Sequence, residues 1–282
     1  MNIFVSTAAF DGKDLEEIIS IAESYNLKIE FSSNLKHHPD AYNLVEKARV
    51  DKLTHNYFPA PEIPFVLNLA SLDKEIKEKS IEHCIKALEF GASISAPFYA
   101  AHAGYCLDPN PQDLGNNLTS YMNKNREEYW NSFIDSVKII LREAEKFGIN
   151  FLIENNVITK SNFENYDLIN PLLCTDSVEV NKLFSSVKHD HFGLLLDTAH
   201  LKISSKTLGF DLNECVKNIE PYIKAIHHSD NNGEVDSNNL LTNEYWFRDY
   251  LKRFEDLDHV LEVKNISLNQ INSQLQVLNS FV

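Results

Sequence analysis

The chain has 282 residues, of which 43% are hydrophobic and 24% charged, with a formal net charge of −15. Such a chain is globular and long enough to bury a sizeable core. No apolar run reaches the length needed to span a bilayer, and the acidic balance opposes recruitment of a polyanionic duplex unless a strong local patch compensates.

The first residues, MNIFVSTAAFDGKDL, lack a basic leader region and are expected to form a strand, not a signal peptide. The β-rich run covers residues 2–10, and a helix over 14–25 carries Leu15, Ile18, Ile19, Ile21 and Ala22 on one broad face. Residues 28–32 (KIEFS) form a second strand. Glu30 within it faces solvent or, if the sheet is covered on both sides, the interior; both readings stand. The run His37-His38-Pro39-Asp40 is expected in a surface loop. Strand three covers 51–58, with His55 near its end, and leads through a proline-broken insert to a helix over 73–90 stopped by Gly91. Strand four covers 93–99 and exits through a segment that carries His102. The polar loop 106–124 is long enough to be a lid or a surface excursion.

A helix over 127–147 ends at Gly148, and strand five (INFLIENN, 149–156) ends with Glu154. Residues 157–174 form a second irregular stretch. Asp176 caps a helix over 178–187. Strand six, the apolar run FGLLLD, carries Asp197 and His200 at its exit. A helix over about 211–222, strand seven (223–230), a turn-rich loop (231–239), a helix over 243–254, strand eight (259–264) and a closing helix over 267–279 complete the chain. Regular alternation of this kind predicts a parallel sheet. Eight strand–helix units without a linker predict its closure into a single-domain (β/α)8 TIM barrel.

In such a barrel the active site lies at the C-terminal ends of the strands. His55, His102, Glu154, Asp197, His227 and Glu262 each end an apolar strand. Asp197 alone reads more readily as a helix cap than as a ligand; the repetition of ligand-type residues at strand exits favours a shared centre. Glu154, Asp197, His227 and Glu262 offer three carboxylates and one imidazole, a donor set suited to one divalent metal ion: Mn2+, Mg2+ or Co2+, and able to take Zn2+. Without a cation the three carboxylates would repel and raise one another's pKa. No Gly-rich phosphate loop, Gly-x-Ser-x-Gly or zinc-ribbon spacing is present. The four scattered cysteines lack CxxC pairing, as expected of reduced thiols in a cytoplasmic protein.

The segments HNYFP and FVLNLAS after strand three, HAGY after strand four, IENN on strand five, LLLDTAHL on strand six, IHHSD on strand seven and LEVK on strand eight resemble the xylose isomerase-like TIM barrel superfamily. That superfamily includes sugar isomerases and epimerases, inosose dehydratases and endonuclease IV. The resemblance implies one barrel domain over 1–282 and a metal site of Glu154, Asp197, His227 and Glu262. His227 is preferred to His228 because it fits a His-x-x-Asp pattern with Asp230, and alternation turns His228 to the other side of the strand. His200 matches a histidine that contacts substrate in epimerases and binds an extra zinc in the nuclease. His55 and His102 match histidines that hold another zinc in the nuclease, and so are candidates for a second metal or for substrate. Where the nuclease has Asp-x-His, this chain has Asp236-Ser237-Asn238. Asn238 is a poor zinc ligand, which leaves one of the three nuclease sites incomplete.

Three classes follow: a metal-dependent isomerase or epimerase (with lyase or dehydratase chemistry open), an endonuclease IV-like zinc phosphodiesterase acting on abasic DNA, and a barrel that binds without turnover. The first is favoured. The expected substrate is a small polyhydroxy carbonyl compound, a sugar, sugar phosphate or cyclitol, converted by proton transfer through a metal-stabilised enediolate. Glu154 and Glu262 would be the acid–base pair, His200 would position a hydroxyl, and Lys264, Asp236 and Asn238 would contact substrate. Neither nucleic acid nor membrane is an expected partner; assembly as a homodimer or homotetramer is left open.

Overall fold

The computed structural model describes residues 1–10, 12–109 and 125–282. Eight strands close into one parallel barrel in chain order: β1 (Asn2–Ser6), β2 (Ile29–Phe31), β3 (Lys52–His55), β4 (Phe98–His102), β5 (Asn150–Glu154), β6 (Phe192–Asp197), β7 (Ile223–His228) and β8 (Asp258–Leu261). The helices α1 (Leu15–Tyr25), α2 (Ala41–Lys47), α3 (Lys74–Ser93), α4 (Arg126–Phe147), α5 (Lys160–Asn165), α6 (Ser177–Ser186), α7 (Thr198–Leu208), α8 (Leu212–Ile219) and α9 (Leu268–Ser280) lie between and after them. No described helix is long and apolar enough to cross a membrane. All four cysteines are free and buried.

The (β/α)8 barrel expected from the alternation is the observed fold, with differences in detail. β6 is buried along its whole length, which is why it reads as an unbroken apolar run. α1 begins with a capping box: Asp14 Oδ1 accepts from Glu17 N (2.9 Å) and Glu17 Oε2 accepts from Asp14 N (3.1 Å). α4 stops at Gly148 in the left-handed region (φ 68°). Gly91 does not stop α3, which runs two residues further. It is a packing position instead, where a Cβ would lie 2.8 Å from Ile149 Cδ1. β4 therefore starts later than the sequence suggests. α2 escaped prediction because only Ala41 and Val45 of its seven residues are fully buried, with Leu44 partly so. The helix expected over 243–254 is a 3-10 turn, Arg248–Arg253. His200 is not part of a strand exit: α7 starts directly after Asp197, and His200 sits in its first turn. The stretch 157–174 contains α5. Most of the polar loop expected over 106–124 lies outside the described residues.

The register brings the strand ends level. His102 pairs with Glu154, Asp197 with His227, and Ser6 with Glu30. Two loops over the barrel mouth are locked together by Asn68. Its amide donates to the carbonyls of Tyr105 and Leu107 (both 3.0 Å), and its Oδ1 accepts from the Ala70 and Tyr105 amides (3.0 and 3.1 Å). Gly104 lets these loops touch. A Cβ there would lie 2.5 Å from Ala70 Cβ and 2.7 Å from Ala70 N, and backbone cannot give way as a side chain can. Gly104→Ala should therefore cost about 1–3 kcal/mol in stability, read by urea denaturation.

Candidate active site

Strand ends and alternation decide which side chains meet at the barrel mouth. Glu154 closes β5 and Asp197 closes β6, and both are fully buried. His227 points inward from β7, and Glu262 follows β8 with its side chain 14% exposed. These four offer ligand-type atoms that all lie within 4.8 Å of one another. A second such group, His55, His102 and Glu154, shares the Glu154 carboxylate. Its Oε2 is 2.7 Å from His55 Nε2 and 3.4 Å from His102 Nδ1.

Glu30 resolves the alternative left by the sequence. It is fully buried in the barrel interior, and its Oε2 accepts from His227 Nε2 at 3.0 Å. That bond fixes the tautomer: the other ring nitrogen, Nδ1, turns to Glu262 Oε2 (3.1 Å), Glu154 Oε1 (3.5 Å) and Asp197 Oδ2 (3.9 Å). Alternation in a two-faced strand was the available signal for Glu30.

Asp197 is a helix cap whose second oxygen is free to face the cluster. Its Oδ1 caps α7 by accepting from His200 N (2.7 Å), while Oδ2 faces the cluster. Asn155, which sequence reasoning did not single out, clamps β5 to β6. Its side chain accepts from Asp197 N (2.8 Å) and donates to Asp197 O (3.1 Å). Its carbonyl accepts from His200 Nδ1 (2.9 Å), which leaves His200 Nε2 facing Asp236 Oδ2 at 3.6 Å. Asn156 ties the same strand end to the carbonyls of Ala103 (2.6 Å) and Leu173 (2.9 Å). Asn238 is buried; its amide donates to Ser229 Oγ (3.3 Å). Lys264 is exposed at the rim.

His228 faces away from the site, as alternation requires. There it joins a buried series: Tyr245 Oη lies 2.7 Å from Thr198 Oγ1 and 2.8 Å from His228 Nδ1, His228 Nε2 lies 2.8 Å from His259 Nδ1, and His259 Nε2 lies 3.0 Å from the Phe254 carbonyl.

The electrostatics are those of a crowded, dry site. Burial pushes the Asp197 carboxyl up to about 7, against the pull of His200. Burial pulls His102 down to about 4 despite the nearby Glu154. Burial would also lower His200, but Asp197 and Asp236 outweigh it and hold the ring well above its ordinary value. Glu154 Oε1 and Asp197 Oδ2 are buried with no hydrogen-bond partner. Buried oxygens left bare are costly unless something binds them. They belong to a three-oxygen, one-nitrogen donor set, so these residues fit a divalent cation. A cavity of about 310 Å3 opens over the clusters, lined by His102, Glu154, His200, Asp236, Asn238 and Glu262 among others. Val157 and Leu172 bring the 157–174 stretch to its wall.

Asn155→Ala should weaken the fold by about 1–3 kcal/mol, because two buried hydrogen bonds go and the Asp197 N–H loses the Asn155 acceptor. Chemical denaturation of the metal-free protein measures this without reference to activity.

Comparison with known proteins places the fold. The sequence profile of the xylose isomerase-like TIM barrel family matches residues 8–261. A D-tagatose 3-epimerase-like protein superposes with a TM-score of 0.73 at 17% identity, covering 100% of this chain and 97% of that one. D-Psicose 3-epimerase from Clostridium cellulolyticum H10 gives 0.67 at 12% identity, covering 100% and 98%. Endonuclease IV from Thermus thermophilus gives 0.62 at 15% identity, also covering 100% and 98%. No match is found among curated protein sequences. The profile match spans nearly the whole barrel, from just after β1 to the end of β8, and the chain belongs to the xylose isomerase-like TIM barrel family.

Proposed function

We propose that this protein is a divalent-metal-dependent isomerase or epimerase acting on a small polyhydroxy carbonyl compound. The observation that carries the reading is the Glu154, Asp197, His227, Glu262 cluster, with two bare buried oxygens, beneath a cavity of about 310 Å3. Those four residues would hold the cation. When bound, it would supply Lewis acidity that polarises a substrate carbonyl and acidifies the neighbouring C–H.

The chain's own groups divide the remaining work. Glu262, which reaches the cavity, takes or returns the proton at the carbon beside the carbonyl, and Glu154 serves as its partner. His200, steered by the Asn155 carbonyl, presents Nε2 to a substrate hydroxyl. Asp236 Oδ1 and Asn238 Oδ1, both buried without a partner, accept from further hydroxyls. Lys264 meets developing negative charge at the rim. Glu30 holds His227 in the tautomer whose Nδ1 faces the cluster.

A panel of ketoses, aldoses, their phosphates and inososes in D2O with Mn2+ tests the reading. Solvent deuterium should enter at the carbon next to the carbonyl, and Glu262→Gln should lower that rate by about 10²–10⁴-fold. Turnover without deuterium would replace proton transfer by a hydride shift or a shielded proton; no turnover on any member would leave a binding protein. Elemental analysis should show one divalent ion per chain, with occupancy reduced in Asp197→Ala.

The endonuclease reading draws on one specific feature, the second cluster of His55, His102 and Glu154. Against it stand the charge of −15 and Asn238. Incision of an abasic duplex together with about three zinc ions per chain would establish it.

Cation binding should also leave a pH signature. With its carboxyl raised to about 7 by burial, Asp197 carries a proton below that pH, and a cation must displace it. His227, held well above its ordinary value by Glu30 and Glu262 against burial, adds the same requirement. The rise in Tm on adding Mn2+ should therefore be larger at pH 8 than at pH 6. An equal shift at both would show that these groups do not bind the ion.

A further inference from the structure

The cavity above the clusters continues into a larger one. Ala8, Asn34 and Lys264 line both it and a neighbouring cavity of about 580 Å3 over the ends of β1, β2 and β8. Lys13, Lys36 and Lys264 line this second space, one from each of the three segments that follow those strands. In a chain of net charge −15 such lysines would be expected to find carboxylates, as Lys28, Lys202 and Lys206 do at 2.7, 2.6 and 2.9 Å. Among the described residues, none of these three stands in an ion pair or donates a hydrogen bond from Nζ. Of the described acids nearby, Asp14, which also lines the cavity, caps α1 through Glu17 N, Glu16 pairs with His38 at 3.0 Å, and Asp236 interacts electrostatically with both His200 and Lys264.

The wall between the two cavities is built on fixed backbone. Lys264 N donates to Asn238 O (3.0 Å), Asn265 N to Ala8 O (3.1 Å) and Ile266 N to Ala9 O (3.0 Å), so the segment after β8 is fastened to both sides. Asn34 Nδ2 donates to Thr7 O (3.1 Å), and its Oδ1 accepts from Thr7 Oγ1 (2.6 Å). The buried side chains of Phe10, Leu15 and Leu35 form an apolar lining. The result is a preformed concavity with three exposed lysines at its edge that form no ion pair among the described residues, joined to the site of the candidate cation ligands. Charges beside an apolar wall act through a lower dielectric than charges in open water.

We propose that this cavity is a second subsite of the same active site and binds an anionic group, a phosphate or a carboxylate, carried by the substrate. The polyhydroxy carbonyl end would lie over the Glu154–Glu262 cluster, and the charged end would lie among Lys13, Lys36 and Lys264. Lys264, on the shared wall, is placed to touch either end. Three ammonium groups from three segments suit an oxyanion approached from several directions. This assignment rests on the isomerase or epimerase reading for its carbonyl end; the anion subsite stands independently.

Two measurements test it. The first titrates the full-length protein with inorganic phosphate at low ionic strength, followed by calorimetry. Saturable binding is expected, weakened by roughly tenfold in the Lys13→Ala/Lys36→Ala double variant. The second compares the Mn2+-loaded protein on D-fructose, D-fructose 6-phosphate and D-fructuronate. One charged compound is expected to show a kcat/KM about tenfold or more above that of the neutral ketose, and the double variant should reduce that ratio about tenfold through KM. Which compound it is separates phosphate from carboxylate. No saturable phosphate binding, or equal binding by the double variant, overturns the subsite. Turnover of neutral and charged compounds with equal kcat/KM overturns its link to substrate while leaving the reaction class standing. Phosphate binding that depends on the lysines, without turnover of any sugar, supports the subsite and removes the isomerase reading instead.

Discussion

Five acidic side chains converge at one end of this barrel. Glu30, Glu154 and Asp197 are fully buried there, and Glu262 and Asp236 are mostly so. Negative charge at this density in low dielectric is tolerable only against positive charge or with bound protons. The four histidines around it, His55, His102, His200 and His227, supply part of the answer, and Asp197, pushed up to about 7, supplies another. Much of the surrounding structure serves to hold these groups together despite their repulsion. The strand register sets the ends side by side, and Asn155 and Asn156 fasten them by hydrogen bonds to backbone, which add no charge.

The ring of strands was legible from the alternation of strand and helix, and strands three to eight signal themselves a second time by the ligand-type residue at their exit. Leu194, Leu195 and Leu196 before Asp197 are the clearest instance. The His-x-x-Asp pattern of the resemblance chose His227, and alternation then turned His228 outward. What was not legible depended on contacts distant in sequence. Gly91 has the look of a helix stop, and only the approach of Ile149 from the next unit reveals a packing site. Asn155 is one polar residue beside another in the sequence; its clamp on Asp197 exists only once β5 and β6 are neighbours. Glu30 stayed ambiguous because alternation puts it on one face of its strand without saying whether that face meets solvent or the barrel interior.

Asp197 shows how one carboxylate can cap a helix and still face the candidate site. The cap uses Oδ1 and leaves Oδ2 free, and because α7 starts with no intervening loop, His200 in its first turn is carried to the same centre. The start of the helix is thereby part of the site, and the carboxylate orientation is fixed by a backbone N–H before any ligand arrives. This is preorganisation in a literal sense: the rotamer that faces the cluster is the rotamer that begins the helix.

The series behind His227 has a direction. The Phe254 carbonyl can only accept, so His259 Nε2 must donate to it. In the neutral ring this leaves His259 Nδ1 as acceptor, so the proton between the two imidazoles belongs to His228 Nε2. His228 Nδ1 is then an acceptor too, and the Tyr245 hydroxyl must give its proton to it. A proton added to His259 Nδ1 would face the His228 Nε2–H in a place water does not reach, whereas one added to His228 Nδ1 would only turn the Tyr245 hydroxyl toward Thr198 Oγ1. Burial already draws His259 down to about 4 and His228 well below its usual value, and at His259 the arrangement of donors works in the same sense. The outer faces of β7 and β8 are thus kept electrically neutral while carrying one imidazole each, and they set no fixed positive charge behind the carboxylates of the inner side.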